Sequence, residues 1–568
     1  MNDPASSPNH KWMILANTTV GMLAAVINAS IVLISLPAIF RGIHLDPLGA
    51  GNTNTLLWTI MGYLVVTSVL VVAFGRLADM YGRAKIYNIG FLLFTLCSVA
   101  LSLMPTDGIA AAYLVWMRIA QGVGGAMITA TATAMLVDAF PSHQRGLALG
   151  INTMAQIGGQ FLGLLLGGIF ADIDWRLIFW INVPIGVIGT IWGFWGLKDK
   201  NVSKRHGKID WWGNLLFGLG LILVLVAIND GIQPTPTAVM AWGTPKVLAE
   251  AILGIAFLIG FFIFEKRVPL PLFDLNLLRL RPFAAGAAAS LLGSIGRGGL
   301  QFMLIIWLQG IWLPLHGYSF ESTPLWSSIF MLPLTVGFLF TTPIAGVLSD
   351  RFGQRAFTAF GMLLGAATFL GLMLLNANFD YPVFAVLLLL NGVGSGLFSA
   401  PNATMIMNAV PAGERGQASG VRAITLNAGQ VLSIGLFFTL MIIGLAISLP
   451  QVMASGLVAQ GLPRQVATQV ANLPPVASLF AAFLGINPMN QLIPPEALHA
   501  LTANQQALIT GTKFFPELLS GPFMLGIKIA FSISLVLYVL AAVASWLGTA
   551  TSKQEDAEEP RIEVEAAE

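Results

Sequence analysis

Charged residues are scarce in this chain. Of its 568 residues, 10% are Asp, Glu, Lys or Arg and 56% are hydrophobic, whereas a soluble protein carries about 25% charged residues. This composition excludes an ordinary soluble domain and indicates a chain that lies in a lipid bilayer. The formal net charge is only +2, so nothing in it suggests a nucleic-acid partner.

Cysteine is nearly absent as well. Cys97 is the single one, which excludes an intramolecular disulfide and a thiolate metal site, and we expect it to pack inside an apolar helix. The sequence also lacks any spacing typical of a metal site, a phosphate-binding loop or a nucleophile with its base. We therefore predict no metal, no cofactor and no enzymatic activity.

Long apolar runs, in contrast, are abundant. A helix needs about 20 apolar residues to cross the hydrocarbon core of a bilayer, and fourteen runs, numbered here as helices 1 to 14, have this character. They cover residues 12–40, 56–74, 86–104, 113–137, 147–171, 176–197, 212–229, 247–264, 283–313, 325–345, 357–375, 383–409, 418–447 and 523–549. The prediction is an all-α integral membrane protein with fourteen transmembrane helices.

The cations in the loops predict how these helices are oriented. Sixteen Lys and Arg residues lie in one set of alternating loops and five in the other, and such residues are enriched on the cytoplasmic side of a membrane. We therefore expect a multi-pass protein of the plasma membrane with both termini in the cytoplasm.

The chain contains an internal repeat at an offset of about 270 residues. Chance similarity among glycine-rich helices would not keep one register across loops of different composition, and duplicated bundles are typical of transporter folds. Three segments recur: GRLADMYGRAK (75–85) as GVLSDRFGQRA (346–356), QGVGGA (121–126) as NGVGSG (391–396), and DAFPSHQRGLALG (138–150) as NAVPAGERGQASG (408–420).

The repeat divides the chain into two pseudo-symmetric bundles of six helices with helices 7 and 8 inserted between them. The predicted parts are a cytoplasmic N-terminus (1–11), the first bundle (12–197), a linker with helices 7 and 8 (198–282), the second bundle (283–549) with a long external loop (448–522), and an acidic cytoplasmic tail (550–568).

This plan and these loop segments resemble the major facilitator superfamily, in particular its fourteen-helix drug:proton antiporter branch of the multidrug resistance type. The resemblance covers residues 12–549. It implies a secondary active transporter that exports amphiphilic or drug-like compounds by alternating access, with protons as the coupled ion. Its expected partners are a small amphiphilic substrate and the lipid bilayer, and the expected state is a monomer.

Two other functions remain open. One is an exporter or flippase of a lipid or lipid-linked envelope component, which buried cations and an apolar external loop suggest. The other is a membrane sensor or scaffold without transport, and the duplicated loop segments argue against it.

The loop between helices 2 and 3 resembles the family's signature for that loop. The resemblance implies that Asp79, with Arg83, holds the cytoplasmic ends of the bundles together when the transporter faces outward. Asp350 with Arg351 is the weaker copy. The alternative is simply a cationic cytoplasmic loop with a tight turn. The predicted gating residues are Gly75, Asp79, Gly82, Arg83, Gly346, Asp350 and Arg351.

Helices 4 and 5 carry further resemblances. Arg118 matches the family's helix-4 arginine, which implies hydrogen bonding to helix 1; reaching the outer membrane surface is the alternative. Gly159, Gly163 and Gly167 recur every four residues and predict close packing of helix 5 against another helix. They resemble the antiporter signature, although that pattern has proline where this chain has Leu164.

Acidic residues are missing from the middle of all fourteen runs. Helix 1 of the family often has an acid where this chain has Asn28, and an amide cannot titrate. The candidates for proton transfer therefore lie near the ends of helices: Asp138, Asp230, Glu250 and His316.

Cations and amides do occur within the runs. Arg118, Arg297, Arg422 and Lys528 have no acidic partner there. This favours a polar or anionic substrate headgroup at Arg118 and Arg297, with pairing to backbone carbonyls as the alternative. The predicted coupling or substrate residues are Asn28, Arg118, Gln121, Gln156, Gln160, Arg297, Gln301 and Gln430.

The external loop 448–522 is unusually apolar, with stretches such as LPPVASLFAAFLGINP. A segment of this kind is not expected to float in water. We expect either short amphipathic helices that lie on the outer leaflet or cap the exit, or a lid packed on the outer ends of the helices.

Overall fold

The computed structural model describes residues 8–46, 49, 52–106, 108–197, 211–233, 235, 240–268, 275–411 and 415–548. Residues 198–210, which begin the predicted linker, and the predicted acidic tail 550–568 lie outside the described residues. Within the described ones, all regular structure is helical, and fourteen helices are long and apolar enough to cross a membrane. The predicted fold class is therefore confirmed.

The first bundle consists of helices 1 to 6. Helix 5 packs along helix 1, and helix 4 packs against helices 2 and 3. The bounds are Pro8–Gly42, Asn52–Tyr81, Arg83–Ser102, Ala110–Ala139 and Ser142–Ile173, with helix 6 formed by Leu177–Trp180 and Asn182–Gly196.

The second bundle, helices 9 to 14, repeats this arrangement. Helix 13 packs along helix 9, and helix 12 packs against helices 10 and 11. Helix 9 runs from Arg281–Trp307 through a π-helical turn, Leu308–Trp312, to Leu313–Leu315. The other bounds are Thr323–Phe330 with Leu332–Phe352 for helix 10, then Gln354–Leu374, Tyr381–Asn408, Arg415–Ala459 and Phe514–Leu547.

Helices 7 (Trp211–Gly231) and 8 (Pro245–Glu265) pack against each other. Helix 7 also lies against helix 2 of the first bundle and helix 13 of the second. The Nδ2 of Asn229 in helix 7 donates a hydrogen bond of 2.7 Å to Oδ1 of Asn54 in helix 2. The inserted pair is thus attached at the side of both bundles.

The repeated segments adopt the same local structure. Gly82 and Gly353 precede helices 3 and 11 with φ angles of 105° and 94°, a region that favours glycine because it has no Cβ. Gln121 donates to the Ser98 hydroxyl at 2.9 Å, and Asn391 donates to the Thr368 hydroxyl at 2.7 Å. Because corresponding positions make corresponding bonds, the sequence repeat is also a repeat of packing.

Helix 1 begins and helix 14 ends at the same end of the molecule, since the number of crossings between them is even. We call it the inner end, following the predicted orientation, and the opposite end the outer end. In the outer half, Ser328 of helix 10 donates to the Leu164 carbonyl at 2.8 Å, and Gln309 of helix 9 donates to the Ile34 carbonyl at 3.0 Å. These bonds join the two bundles.

The face of helix 5 that carries Gln160 shows where the bundles separate. Towards the outer end, Gly168 packs against Leu325 and Ser328 of helix 10. Towards the inner end, Thr153, which lies about two turns from Gln160 on the same face, is exposed. The cleft between the bundles is therefore closed at the outer end and open at the inner end.

Part of the external loop closes the outer end. A short helix, Pro475–Leu484, has all ten of its residues buried, and we call it the lid. It contacts helices 1 and 2 of the first bundle and helices 9, 13 and 14 of the second. The Phe480 ring stacks on Phe438 with 5.4 Å between centroids, and Phe483 meets Phe302 at 6.3 Å. This segment therefore packs as a lid and does not lie on the leaflet.

The predicted limits of the external loop were too wide. Helix 13 continues to Ala459 and helix 14 begins at Phe514, whereas the sequence reading stopped these helices near prolines. Pro450 and Pro522 lie inside the two helices, because neighbouring helices can stabilise a proline within a membrane helix.

The outward surface of the helices is apolar. Trp195, Val347 and Leu374 are 81%, 75% and 76% exposed. Such side chains are stable against lipid but not in water. The distribution of exposed residues thus supports the bilayer as the surrounding solvent.

Candidate functional site

A central cavity lies between the bundles, about halfway along the helices. Helix 5 contributes one wall, and helices 9, 10 and 12 contribute the others. The lining residues are Gln160, Leu164, Arg297, Leu300, Gln301, Leu334, Thr335, Phe338, Asn391, Gly392 and Ser395. In this conformation the cavity is small, about 50 Å³, and its apolar wall with a few polar groups has the composition of a binding site for a small amphiphile.

Three predicted substrate residues meet in this cavity. Gln160 of helix 5 and Gln301 of helix 9 form a hydrogen bond of 2.8 Å between Nε2 and Oε1, and Arg297 lies one helical turn before Gln301. This amide pair crosses from the first bundle to the second. Any relative tilt of the bundles must therefore change or break it.

Arg297 is stabilised differently from an ordinary buried arginine. It lies midway along helix 9 and is partly buried, with its Cζ 4.8 Å from the centroid of the Phe338 ring. Cation–π contact of this kind is worth about 1 kcal/mol, whereas a charge at the centre of a bilayer costs roughly 3 kcal/mol. The ring alone does not offset the cost of placing this charge in the membrane.

Arg118 lies inside the first bundle and not in the cavity. It is 2% exposed, so it does not reach the outer surface of the membrane, and that alternative is wrong. Its Nη1 donates to Gln121 Oε1 at 2.8 Å, and its Cζ lies 4.5 Å from the Tyr63 ring centroid. Its link to helix 1 is indirect, since Asn28 Nδ2 donates to the same Gln121 oxygen at 3.1 Å.

This first-bundle network, formed by Asn28, Ser98, Arg118, Gln121 and Asn182, connects four helices. Asn182 of helix 6 donates to Asn28 at 3.3 Å, and Gln121 donates to Ser98 of helix 3. Both Asn28 and Gln121 are fully buried. In this conformation the network holds the first bundle together and offers no group to the cavity.

The other predicted polar residues are dispersed. Gln156 donates to Asn152 on its own helix at 3.1 Å and does not line the cavity. Gln430, the repeat partner of Gln160, is exposed and lies outside the cavity too. Lys528 is exposed on helix 14, so the prediction that it lies among buried cations was wrong, because a helical run of this length has an outward face as well as an inward one.

The glycine stripe of helix 5 faces helix 1. A Cβ at Gly163 would meet the backbone of Ile27, and one at Gly167 would meet the backbone of Ile31. Ser35 donates to the Gly167 carbonyl at 2.8 Å, a contact that the short distance between the helices allows. Gly159 lies against Leu23 in the same way.

The predicted gate segment forms ion pairs within the first bundle. Arg83 contacts Asp79 at 2.8 Å and Asp138 at 2.5 Å, and it also donates to the Ala134 carbonyl at 3.0 Å. The side chains of Asp79 and Asp138 are 45% and 64% exposed. This inner ion-pair cluster (Asp79, Arg83, Asp138) thus lies at the open end of the cleft.

The second copy of the gate segment has a different arrangement. Asp350 is exposed and has no ion pair among the described residues, while Arg351 lies over the Phe352 ring at 5.5 Å. A Cβ at Gly75 would meet nothing within 4 Å, and one at Gly346 would meet only Ala400. The two glycines that begin the segments therefore leave room at the inner end.

The outer candidates for proton transfer are held by their neighbours. Lys246 contacts Asp230 at 2.6 Å and Glu250 at 3.8 Å. His316 stacks on Trp312, with 3.8 Å between ring centroids, and its Nδ1 lies 2.8 Å from the Trp312 carbonyl oxygen. None of these groups faces the central cavity.

Sequence reasoning missed the contribution of helices 10 and 12 to the cavity. Nothing in the sequence marks Thr335 and Phe338 as cavity residues, since single polar or aromatic residues in apolar helices usually contribute to packing. Asn391 does have such a mark in the sequence, because it occupies the position that corresponds to Gln121 in the repeat. Its position in the repeat could have marked it, but the repeat does not say which copy faces the cleft.

Comparison with known proteins agrees with this architecture. The family model described as Major Facilitator Superfamily matches residues 18–434. The Tetracenomycin C resistance and export protein of Streptomyces glaucescens is 28% identical over 82% of this chain and 84% of its own length. Multidrug resistance protein Stp of Mycobacterium tuberculosis is 30% identical over 74% of each chain.

A solved structure supports the fold. The bacterial homolog of the human lysosomal transporter Spinster, in an inward-facing and unoccupied conformation, aligns with a TM-score of 0.58 and 14% identity, over 96% of this chain and all of its own. Two related six-helix bundles with a cleft between them, together with the match over residues 18–434, identify the family. The chain belongs to the Major Facilitator Superfamily of membrane transporters.

Proposed function

We propose that this protein exports amphiphilic, drug-like compounds across the plasma membrane by alternating access. The observation that carries the proposal is the central cavity, which is shared by both bundles, closed by bundle contacts at the outer end and reached through the open cleft at the inner end. A substrate would enter from the inner end, and tilting of the bundles would open the outer end.

The relatives support the class of substrate. One is named for resistance to and export of tetracenomycin C and another for multidrug resistance. The mixture of leucine, phenylalanine and amide side chains in the cavity suits compounds with an apolar body and a polar group. The chain acts as a monomer in this proposal, since one chain supplies both walls.

The proposed direction of transport follows from the distribution of cationic residues between the loops. Lys and Arg residues are concentrated in the loops predicted for the inner end, which supports a cytoplasmic position of that end and of both termini. Transport from the inner to the outer end is then export.

The inner ion-pair cluster would act as the gate. Asp79 and Asp138 share Arg83 within one bundle and are partly exposed to the open cleft. When the inner ends approach, these charges come near helices of the second bundle and can bond there. Asp350 and Arg351 would provide the weaker equivalent on the other side.

A proton gradient would drive the cycle. Because no acid lies in mid-span in the described chain, the coupling group would lie near a helix end, and Asp138 in the inner ion-pair cluster is the candidate that borders the open cleft. Coupling at a helix end, with Asn28 in place of an acid, distinguishes this proposal from a carrier within helix 1.

Transport can be tested in two steps. Expression in a pump-deficient bacterial host should raise tolerance to members of a panel of cationic, neutral and anionic amphiphiles. Purified protein in liposomes should then move those compounds faster with an imposed pH gradient than without one. Unchanged tolerance across the panel, together with movement of fluorescent lipids, would replace the proposal by lipid export, and flux independent of the gradient would remove proton coupling.

A further inference from the structure

The central cavity contains one charge, and it is positive. Arg297 is the only cation among the eleven described residues that line it, and none of the eleven is acidic. The acids that form ion pairs in the described chain, such as Asp138 and Asp230, lie near the ends of helices. The cavity therefore has a positive electrostatic potential that no neighbouring carboxylate cancels.

Arg297 also keeps its hydrogen-bonding capacity free. Its guanidinium lies over Phe338, and within the described residues it donates no hydrogen bond and forms no ion pair. An arginine carries five N–H donors arranged to match a carboxylate, phosphate or sulfonate. Arg118, in contrast, is bonded to Gln121 and closed off from the cavity, so the two arginines have different roles.

A second group in the cavity lacks a partner. Asn391 is fully buried, and its Nδ2 donates to Thr368. The other atom of the same amide, Oδ1, has no hydrogen-bond partner among the residues that the structure describes. Since unpaired buried polar atoms are costly and rare, a hydroxyl or N–H group of a bound molecule, but not its anionic group, would donate to this oxygen.

We infer that the central cavity selects amphiphiles with an anionic headgroup, such as a sulfonate, carboxylate or phosphate, over cations. The headgroup accepts charge-assisted hydrogen bonds from Arg297, and the apolar body lies against Leu300, Leu334 and Phe338. This inference rests on the proposed function and adds the charge of the substrate to it. The anion can be a soluble compound or the headgroup of a lipid, and both present the same chemistry.

Three xanthene dyes of similar size and different charge provide the test: anionic sulforhodamine B, zwitterionic rhodamine B and cationic rhodamine 6G. Their binding to the full-length protein in phosphatidylcholine nanodiscs is measured by fluorescence anisotropy. The wild type should bind sulforhodamine B at least about tenfold more tightly than rhodamine 6G, as a charge-assisted pair in a partly buried site predicts. Adding phosphatidylglycerol to the nanodiscs should weaken dye binding only if a lipid headgroup uses the same site.

Four variants assign the preference to Arg297. Arg297→Gln should lower the affinity for sulforhodamine B about tenfold or more and leave that for rhodamine 6G unchanged, while Arg297→Lys keeps most of the preference. Arg297→Glu should reverse it, which a misfolded protein cannot do. Lys528→Gln, which removes a cation from the same bundle outside the cavity, should change nothing.

Opposite results would overturn the inference. A wild type that prefers rhodamine 6G, no binding of sulforhodamine B, or equal effects of Arg297→Gln and Lys528→Gln would each do so. The proposed export has a separate readout, since the same dyes can be followed in everted membrane vesicles. If binding depends on charge but no dye is transported, the proposed export is contradicted and the charge selectivity is not. If dyes are transported equally by the wild type and the Arg297 variants, the charge selectivity is contradicted and export is not.

Discussion

At the scale of single residues, the environment of each arginine decides its role. Arg118 and Arg297 both lie within membrane helices, and their sequence contexts are alike in being apolar and rich in glycine. Arg118 is enclosed by amides and the Tyr63 ring, which spread its charge over neutral dipoles. Arg297 lies over the Phe338 ring and donates no hydrogen bond among the described residues. One arginine therefore stabilises a bundle and the other is available to a ligand.

A substitution at Asp79 tests the proposed gating role separately from the stability of the protein. Asp79→Asn removes an ion pair that is nearly half exposed, and such pairs contribute about 1 kcal/mol or less. We expect the melting temperature and membrane insertion to stay close to wild type while flux in proteoliposomes falls several-fold.

The control for this prediction is Asp230→Asn. It removes a contact with Lys246 at the outer end and should leave flux unchanged. Equal flux in the Asp79 variant and the wild type would exclude Asp79 from the gate.

At the scale of elements, helix 5 serves both bundles. Its glycine face packs on helix 1, and Gln160, Leu164 and Gly168 lie against helices of the second bundle. The glycine face holds helix 5 in the first bundle. The contacts of Gln160, Leu164 and Gly168 with the second bundle are the ones that a relative tilt of the two bundles must break. Leu164, at the position of the family's proline, lines the cavity.

Two glycines of helix 5 should respond oppositely to alanine. Gly163→Ala places a methyl group against the Ile27 backbone, and we expect a loss of about 1–3 kcal/mol from the forced separation of helices 1 and 5. Gly158→Ala meets nothing within 4 Å and should be neutral or stabilising, since alanine is the better helix former. Thermal unfolding in one detergent compares them, and equal melting temperatures would refute close packing at Gly163.

The lid belongs to both bundles in the present conformation. Arg41 of helix 1 donates to the carbonyls of Phe320 and of Leu484, the last lid residue, at 3.3 Å each. The rings of Phe480 and Phe483 pack on the second bundle. An outward opening must therefore release the Arg41 contacts or carry the lid along with one bundle.

At the scale of the whole molecule, alternating access requires the outer contacts to open. Gly168 and Ser328 face each other across the bundles. In a protein with Cys97→Ala, the pair Gly168→Cys and Ser328→Cys should form a disulfide on oxidation and stop transport, and a reductant should restore it. The measurement is flux before and after each treatment.

The control for this cross-link is the double variant before oxidation. Its flux shows whether the added side chains alone disturb helix 10. Full transport with a completely formed disulfide would contradict alternating access through this interface.

Much of the fold was accessible from the sequence. The fourteen helices, the fold class and the family were predicted correctly, because length and apolarity decide which segments cross a bilayer. The repeat correctly paired Gln121 with Asn391 and Gly82 with Gly353, since duplicated packing leaves a constant offset. The limits of helices 13 and 14 were predicted wrongly at the prolines.

The sequence by itself determined which segments lie in the membrane and that they form two related bundles, because both properties depend on local apolarity and register. It did not determine which polar side chains face the cleft. That depends on how each helix is rotated and on which copy of a repeated residue meets the other bundle, as Gln160 does and Gln430 does not. Only tertiary packing fixes these rotations, because they result from contacts between residues far apart in the chain.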